Sequence, residues 1–179
     1  MKTLMIVSHP YFSRSHAIKA LQQAAEKLPD VTVRNLEALY GNDTSAFNIA
    51  AEQKAAEAAD RIVFLFPIHW FNLTPMLKAY LNEVWTFGWA FGTGGTVLRG
   101  KALQAIVTAG ASEQTYSADG LIESTMEEVL TPLKASALYV GMTWLPPLYF
   151  FGAMGVDEGT VASFQRVLER ALREPAFAE

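Results

Sequence analysis

His9, Ser13, Arg14 and Ser15 share a short polar stretch, directly after the apolar run Leu4-Met5-Ile6-Val7 and directly before an Ala/Leu-rich segment. A buried strand that ends in such a turn and feeds a helix leaves several backbone N–H groups unpaired at one point, and helix N-termini of this kind bind phosphate. Ser13 and Ser15 add hydroxyl donors, and His9 and Arg14 can add charge-assisted ones. The loop could therefore hold a phosphate monoester with neither a Gly-rich finger nor a lysine. The alternative is an ordinary Ser N-cap, with His9 and His16 as surface residues.

Two further segments carry unusual chemistry. Pro67-Ile68-His69-Trp70-Phe71 follows the apolar run of residues 61–66. Trp70 and Phe71 offer a flat aromatic wall, the amides of Ile68 to Phe71 offer donors, and His69 offers a proton; core packing of the two rings and simple exposure of His69 are the alternatives. Thr108-Ala109-Gly110 supplies small residues and free amides where a ring edge can approach, or else a tight turn. Tyr116 can donate a hydrogen bond to a carbonyl or a developing oxyanion, or be merely packed. An isoalloxazine ring needs a flat wall, amide donors near its polar edge and a grip on its phosphate, and the three segments together supply all of these.

The elements that must bring them together follow from periodicity. Residues 3–8 read as a buried strand, and residues 15–28 as a helix with apolar Ala17, Ile18, Leu21 and Ala25 on one side. Residues 31–36 alternate like a strand near a sheet edge, and residues 40–48 read as a long surface loop that could reach a second subunit. A short Ala-rich helix over 49–59 precedes the central strand at 61–66. Thr74-Pro75 starts a helix through about residue 85, since Thr caps and Pro suits the first helical position. The four glycines between residues 88 and 95 make a loop. A fourth strand spans 101–108, a helix 121–137, a ragged fifth strand 138–145, an aromatic loop 146–155, and a last helix runs from Asp157 to about residue 172, with a frayed tail over 174–179. Strand and helix alternate five times in one domain spanning residues 1–179, which is a doubly wound α/β pattern. In a five-stranded parallel sheet of order 2-1-3-4-5 with helices on both faces, ligands bind at the carboxyl ends of the first, third and fourth strands. Those ends are the three segments described above.

Composition limits the alternatives. The 179 residues are 51% hydrophobic, enough for a proper core. The net charge of −4 with scattered Lys and Arg gives no footprint for nucleic acid. With no cysteine and 3 histidines, disulfides, thiolate chemistry and a structural metal are not expected. The start of the chain is too short an apolar run for a signal or a membrane span, so a cytoplasmic location is expected. Aromatics bunch between Phe64 and Phe91 and between Tyr139 and Phe151, as a ligand slot or a subunit interface would require.

Val7-Ser8-His9-Pro10, Ser15-His16-Ala17, Ala51-Glu52-Gln53 with Ala58-Ala59-Asp60, Phe66-Pro67-Ile68-His69-Trp70-Phe71, Pro75-Met76-Leu77-Lys78, Gly88-Trp89-Ala90-Phe91-Gly92 and Thr108-Ala109-Gly110 together resemble the NAD(P)H:quinone oxidoreductase family of flavodoxin-like flavoproteins. The chain is most similar to its bacterial branch, which includes ancillary oxidoreductase subunits of glutathione-gated potassium efflux systems. The resemblance implies a flavodoxin-like fold and a homodimer with active sites at the subunit interface. It implies bound FMN, with FAD possible, because the chain lacks the C-terminal extension of the animal enzymes. NAD(P)H would reduce the flavin and leave, and a quinone would then take the hydride. By position, His9, Ser15, His16, Ala17 and Ile18 would face the phosphate and ribityl chain. Pro67, Ile68, His69, Trp70, Phe71, Thr108, Ala109, Gly110 and Ala111 would line the ring, and Tyr116 would stand beside the nicotinamide and quinone. The sequence departs from the family at Ile18, His69, Ala109, Ala111 and Ile122; the last replaces a proton-handling histidine, whose role is either unfilled or moves to His69 or to solvent. The expected activity is that of an NAD(P)H dehydrogenase (quinone), with Tyr116 and His69 as catalytic groups. The competing expectation is a regulatory subunit docking onto a membrane potassium efflux transporter through the aromatic segment 145–151, and a one-electron flavodoxin is a third.

Overall fold

The computed structural model describes residues 1–175. In chain order its elements are β1 (Thr3–Val7), α1 (His16–Glu26), β2 (Val31–Asn35), α2 (Leu36–Tyr40), α3 (Ile49–Glu57), β3 (Arg61–Pro67), α4 (Pro75–Val84), β4 (Ala102–Thr108), α5 (Met126–Val129), α6 (Thr131–Tyr139), β5 (Thr143–Trp144), β6 (Leu148–Phe150) and α7 (Glu158–Arg173). All strand pairs are parallel, in the order β2-β1-β3-β4-β5, with β6 also paired to β4. Every residue of β1, β3 and β4 is buried, as expected of parallel strands covered by helices on both faces. Alternate residues serve opposite faces. Ile6, Phe64 and Val107 pack with Leu77, Tyr80 and Leu133 of α4 and α6, whereas Val7, Leu65 and Ile106 pack with Ile18 and Leu21 of α1 and Leu168 of α7.

The flavodoxin-like architecture and strand order match the sequence reading, and the differences are local. The helix expected over 121–137 starts only at Met126, where Thr125 and Glu128 form a reciprocal capping box. It is broken between Leu130 and Thr131, where Pro132 enters the first turn of α6. α6 then continues through Tyr139, over residues expected to open the fifth strand. That strand exists in two pieces. Thr143 pairs with Ala102 and Leu148 with Ile106, so one more residue lies between these points on the outer strand than on β4. Pro146 and Pro147 fall in this interval and have no N–H to give the ladder; the Gln104 side-chain amide bridges it by donating to the Pro146 carbonyl at 3.0 Å. Within the aromatic segment 145–151, Leu148–Phe150 form β6, and Leu145 and Phe150 are buried. The loop expected from residue 40 is preceded by α2, capped by the Asn35 side chain, and it is tethered by Phe47, whose ring lies 4.9 Å from Tyr40 and 6.1 Å from Tyr80. Of the expected frayed tail, residues 176–179 lie outside the described residues.

One buried charge ties the first and last thirds of the chain. Arg61, at the start of β3, is 1% exposed. Its guanidinium donates to Thr3 Oγ1 at 3.1 Å and to the carbonyls of Ala171, Leu172 and Glu174 at the end of α7. Those carbonyls have no amide partner within the helix and carry the negative end of its dipole, so the cation satisfies both needs. Arg61→Ala should destabilise the protein by about 3 kcal/mol in chemical denaturation, and Arg61→Lys should recover less than half of that, because an ammonium cannot span the same fork.

Candidate functional site

The carboxyl ends of β1, β3 and β4 and the segment after β6 enclose a cleft of about 300 Å³. The first loop contributes His9, Arg14, Ser15, His16 and Ala17; the second Pro67, Ile68 and His69; the third Thr108 and Gly110; and residues 153–156 close the fourth side. Residues far apart in sequence thus meet where the architecture requires.

Ser15 is both a helix cap and a cleft residue. Its Oγ accepts the Ile18 N–H at 3.1 Å, so the first turn of α1 leaves the amides of His16 and Ala17 without an intrahelical acceptor. Ile18 itself does not reach the cleft: its amide is paired and its side chain is wholly buried in the core. His9 accepts the Tyr11 N–H on Nδ1 at 3.0 Å, which leaves Nε2 as the protonated nitrogen. Burial, helped by His69 with its ring 5.7 Å away, pushes the His9 pKa down to about 4. At neutral pH His9 is therefore a neutral donor rather than the charge-assisted one expected. Burial lowers the His69 pKa too. Positive charge comes from Arg14, whose guanidinium lies 5.9 Å from the Tyr11 ring centre.

The second loop is a two-residue hairpin. His69 and Asn72 exchange backbone hydrogen bonds at 3.3 and 3.0 Å, and Ile68 N–H donates to the Thr108 carbonyl at 2.8 Å. Two of the four amides expected as ligand donors, those of Ile68 and His69, are thus paired within the chain. Those of Trp70 and Phe71 remain at the tip, with φ of 47° and 60°. Two successive positive φ values suit Asn-Gly. Large aromatic residues there are strained by roughly 1 to 3 kcal/mol each. Core packing does not explain them, since Trp70 is 93% and Phe71 44% exposed. Trp70, Phe71 and Tyr116 stand outside the residues that line the cleft. Phe71, Tyr116, Phe151 and Tyr149 instead form a row of rings with centres 6.1, 5.5 and 6.0 Å apart in turn. Burial raises the Tyr116 pKa, so its hydroxyl keeps its proton at neutral pH.

The third loop is laced to the fourth side. Ala109 N–H donates to the Phe150 carbonyl, and the Ala109 and Ala111 carbonyls accept from Ala153 and Gly152 N–H. Ala109 is thus buried and its amide paired, and Ala111 does not line the cleft. Gly110 does line it, and a Cβ there would lie 3.0 Å from Met154 Cε, so glycine keeps this approach open. Residues 153–156 were not among the site residues expected from sequence. The available signal was their place after the last strand, between Gly152 and Gly155, both with positive φ.

The model of the family described as "Flavodoxin-like fold" matches residues 1–173. The chain belongs to that family. A Bacillus subtilis (strain 168) NAD(P)H oxidoreductase, described as uncharacterized, is 38% identical over 162 residues, 90% of this chain and 81% of the relative. General stress protein 14 of Treponema denticola, solved in complex with FMN, is 36% identical with a TM-score of 0.86, and 96% of each chain is covered. An NADPH-quinone reductase from P. pentosaceus is 26% identical with a TM-score of 0.88, covering 98% of this chain and 99% of that one. A chain described as a thermophilic tryptophan halogenase from Streptomycin violaceusniger is 34% identical with a TM-score of 0.91, over 96% of this chain and 99% of that one; it shares the fold and differs from the others in the chemistry its name states. The chain is thus a flavodoxin-like member of a group that includes NAD(P)H oxidoreductases and quinone reductases.

Two measurements on the flavin-free protein check this geometry. His9 has a pKa of about 4 in the fold against 6.5 for an unperturbed histidine; between these values the unfolded chain binds more protons, so the His9 contribution is fully present above the higher value and is lost as pH falls toward the lower. The stability difference between wild type and His9→Gln should therefore vary with pH in that window and be flat above it. Trp70→Asn should stabilise the flavin-free protein by about 0.5 to 1 kcal/mol in denaturant titration, because Asn tolerates positive φ and little packing is lost.

Proposed function

We propose that the chain is a cytoplasmic, homodimeric FMN-dependent NAD(P)H oxidoreductase, one flavin-binding domain that reduces quinones or similar acceptors by two electrons in alternating half-reactions. The observation that carries this reading is the meeting, at one cleft, of the open start of α1, Arg14, the Pro67–His69 stem of the aromatic hairpin and Gly110.

The donor set fits FMN. The unpaired amides of His16 and Ala17, the Arg14 guanidinium, the Ser15 hydroxyl and the neutral His9 N–H suit a phosphate and ribityl chain. Gly110, with no side chain, allows the close approach of a ring edge. Pro67, Ile68 and His69 form the wall behind it, and the free amides of Trp70 and Phe71 are available to its polar edge. FMN, when bound, supplies the hydride chemistry, taking a hydride from NAD(P)H and passing it to the acceptor. The chain's own part is to bind and orient. Phe71, Tyr116 and Phe151 offer a stacking surface for nicotinamide or quinone rings, and Tyr116 Oη donates to the acceptor carbonyl as negative charge grows there. His69, neutral at working pH, can relay a proton from water to the reduced acceptor. FAD would need a further site for its adenosine, so FMN is the proposed flavin.

The dimer reading is supported by large apolar side chains left in solvent, among them Trp70 at 93%, Leu121 at 87% and Phe87 at 69% exposed. No helix among the described residues is long and apolar enough to cross a membrane. A docking role on a membrane transporter draws on the same exposed rings, Phe87 and Tyr139. Activity separates the two readings. Purified protein should carry FMN, identified by chromatography after release, and its absorbance should bleach on anaerobic addition of NAD(P)H and return with a quinone. A protein that is colourless and gains no flavin on reconstitution overturns the proposal. Tyr116→Phe should lower kcat for quinone reduction about 10- to 100-fold with flavin content unchanged.

A further inference from the structure

Behind the phosphate-binding loop lies a polar cluster that the proposed reaction does not use. Ser8, the residue after β1, is fully buried, and its Oγ donates to Glu37 Oε1 at 2.8 Å and hydrogen-bonds the hydroxyl of Thr74, the fully buried cap of α4. Thr74 Oγ1 in turn accepts the Leu77 N–H. The Thr74 and Ser8 protons therefore run in one direction, toward the Glu37 carboxyl. The second oxygen of that carboxyl, Oε2, is buried with no hydrogen-bond partner. Glu37 lines, with His9 and Arg14, a recess of about 320 Å³, and His9 and Arg14 also line the ligand cleft. Only the loop after β1 separates the carboxyl from that cleft.

We infer that Glu37 is a positioning residue whose protonation is coupled to phosphate capture: seating FMN at the start of α1 takes up a proton on the Glu37 carboxyl. The inference rests on the FMN reading above. A half-buried carboxyl with one oxygen buried and unpartnered is poorly solvated as an anion. Burial accordingly raises its pKa, against the Ser8 hydrogen bond and smaller contributions from the backbone N–H groups of His9 and Glu37. The groups that face it are few. From the loop after β1 come His9, neutral down to about pH 4, and Arg14; from β1 and α4 come the uncharged Ser8 and Thr74; on its own helix, Tyr40 is engaged with Glu52. Arg14 is thus the cation that lines both the Glu37 recess and the ligand cleft. A phosphate dianion in the cleft adds a negative potential that Arg14 alone does not cancel, and this favours the neutral carboxyl.

The test is the pH dependence of FMN affinity, read by quenching of flavin fluorescence on the flavin-free full chain from about pH 5 to about pH 8. Relative to Glu37→Gln, wild type should lose affinity as pH rises, by up to roughly tenfold per unit between the Glu37 pKa values of the free and bound forms. Glu37→Gln imitates the neutral carboxyl, so it should bind at every pH as wild type does at the acid end. The second ionisation of the FMN phosphate occurs in both proteins and drops out of the comparison. With riboflavin, which has no phosphate, the two profiles should coincide. Parallel FMN profiles, or a difference that persists with riboflavin, overturn the inference while leaving the flavin reading intact. Failure of both proteins to bind FMN at any pH overturns both. Thermal melts of the flavin-free forms show whether the variant is folded, and Glu37→Ala, which leaves Ser8 without its acceptor, should bind more weakly than Glu37→Gln at all pH values.

Discussion

Every backbone N–H at the carboxyl rim of this sheet must be paired by the chain or left for a ligand. The sheet is closed on both faces by helices, so its rim is where unpaired donors can concentrate. The pairing is selective. The amides of Ile68, His69 and Ala109 are taken by carbonyls of neighbouring loops, while the first-turn amides of α1 and the two at the hairpin tip are left open. What remains open is the start of α1, in the cleft beside Arg14, and the hairpin tip just beyond His69 at the cleft's edge. The proposed phosphorylated ring compound would satisfy them together, and the flavin reading therefore starts from the backbone.

Strain and packing maintain that selection. Placing Trp70 and Phe71 at positive φ is unfavourable, and the hairpin holds because its base is fixed on both sides, by the two His69–Asn72 hydrogen bonds and by the Ile68 N–H to Thr108. The end of β1 is fixed in the same way through Ser8, Thr74 and Glu37. The two loops that meet the ligand are thus joined to one another through the cap of α4. At the opposite rim Arg61 anchors the last helix, and that helix covers the face on which α1 packs. Each anchor buries polar groups at a cost that is offset only while all its partners are in place.

The parallel sheet and its order were legible because β1, β3 and β4 are uninterrupted apolar runs and the helices between them carry a clear apolar face. The cleft was legible because its chemistry lies at strand ends, where the sequence changes character abruptly. What was not legible was hydrogen-bond pairing across distant segments. Nothing local shows that the amides of Ile68 and Ala109 are taken by Thr108 and Phe150, or that Ile18 lends only its N–H to Ser15. The split fifth strand escaped because Pro146-Pro147 reads as a loop, whereas Gln104 bridges the gap from a neighbouring strand. Glu37 escaped because a glutamate early in a short helix looks like any solvated first-turn acid, and its burial depends on Ser8 and Thr74, which lie far off in the chain.

The measurement that bears most directly on the central claim is a backbone amide NMR titration of the flavin-free protein with FMN. Saturable shifts are predicted at the amides of His16, Ala17, Trp70, Phe71 and Gly110, with those of Ile68, His69 and Ala109 retaining the slow hydrogen exchange of amides paired within the chain. Saturable binding whose shifts fall elsewhere on the surface, or none at all, would contradict the account.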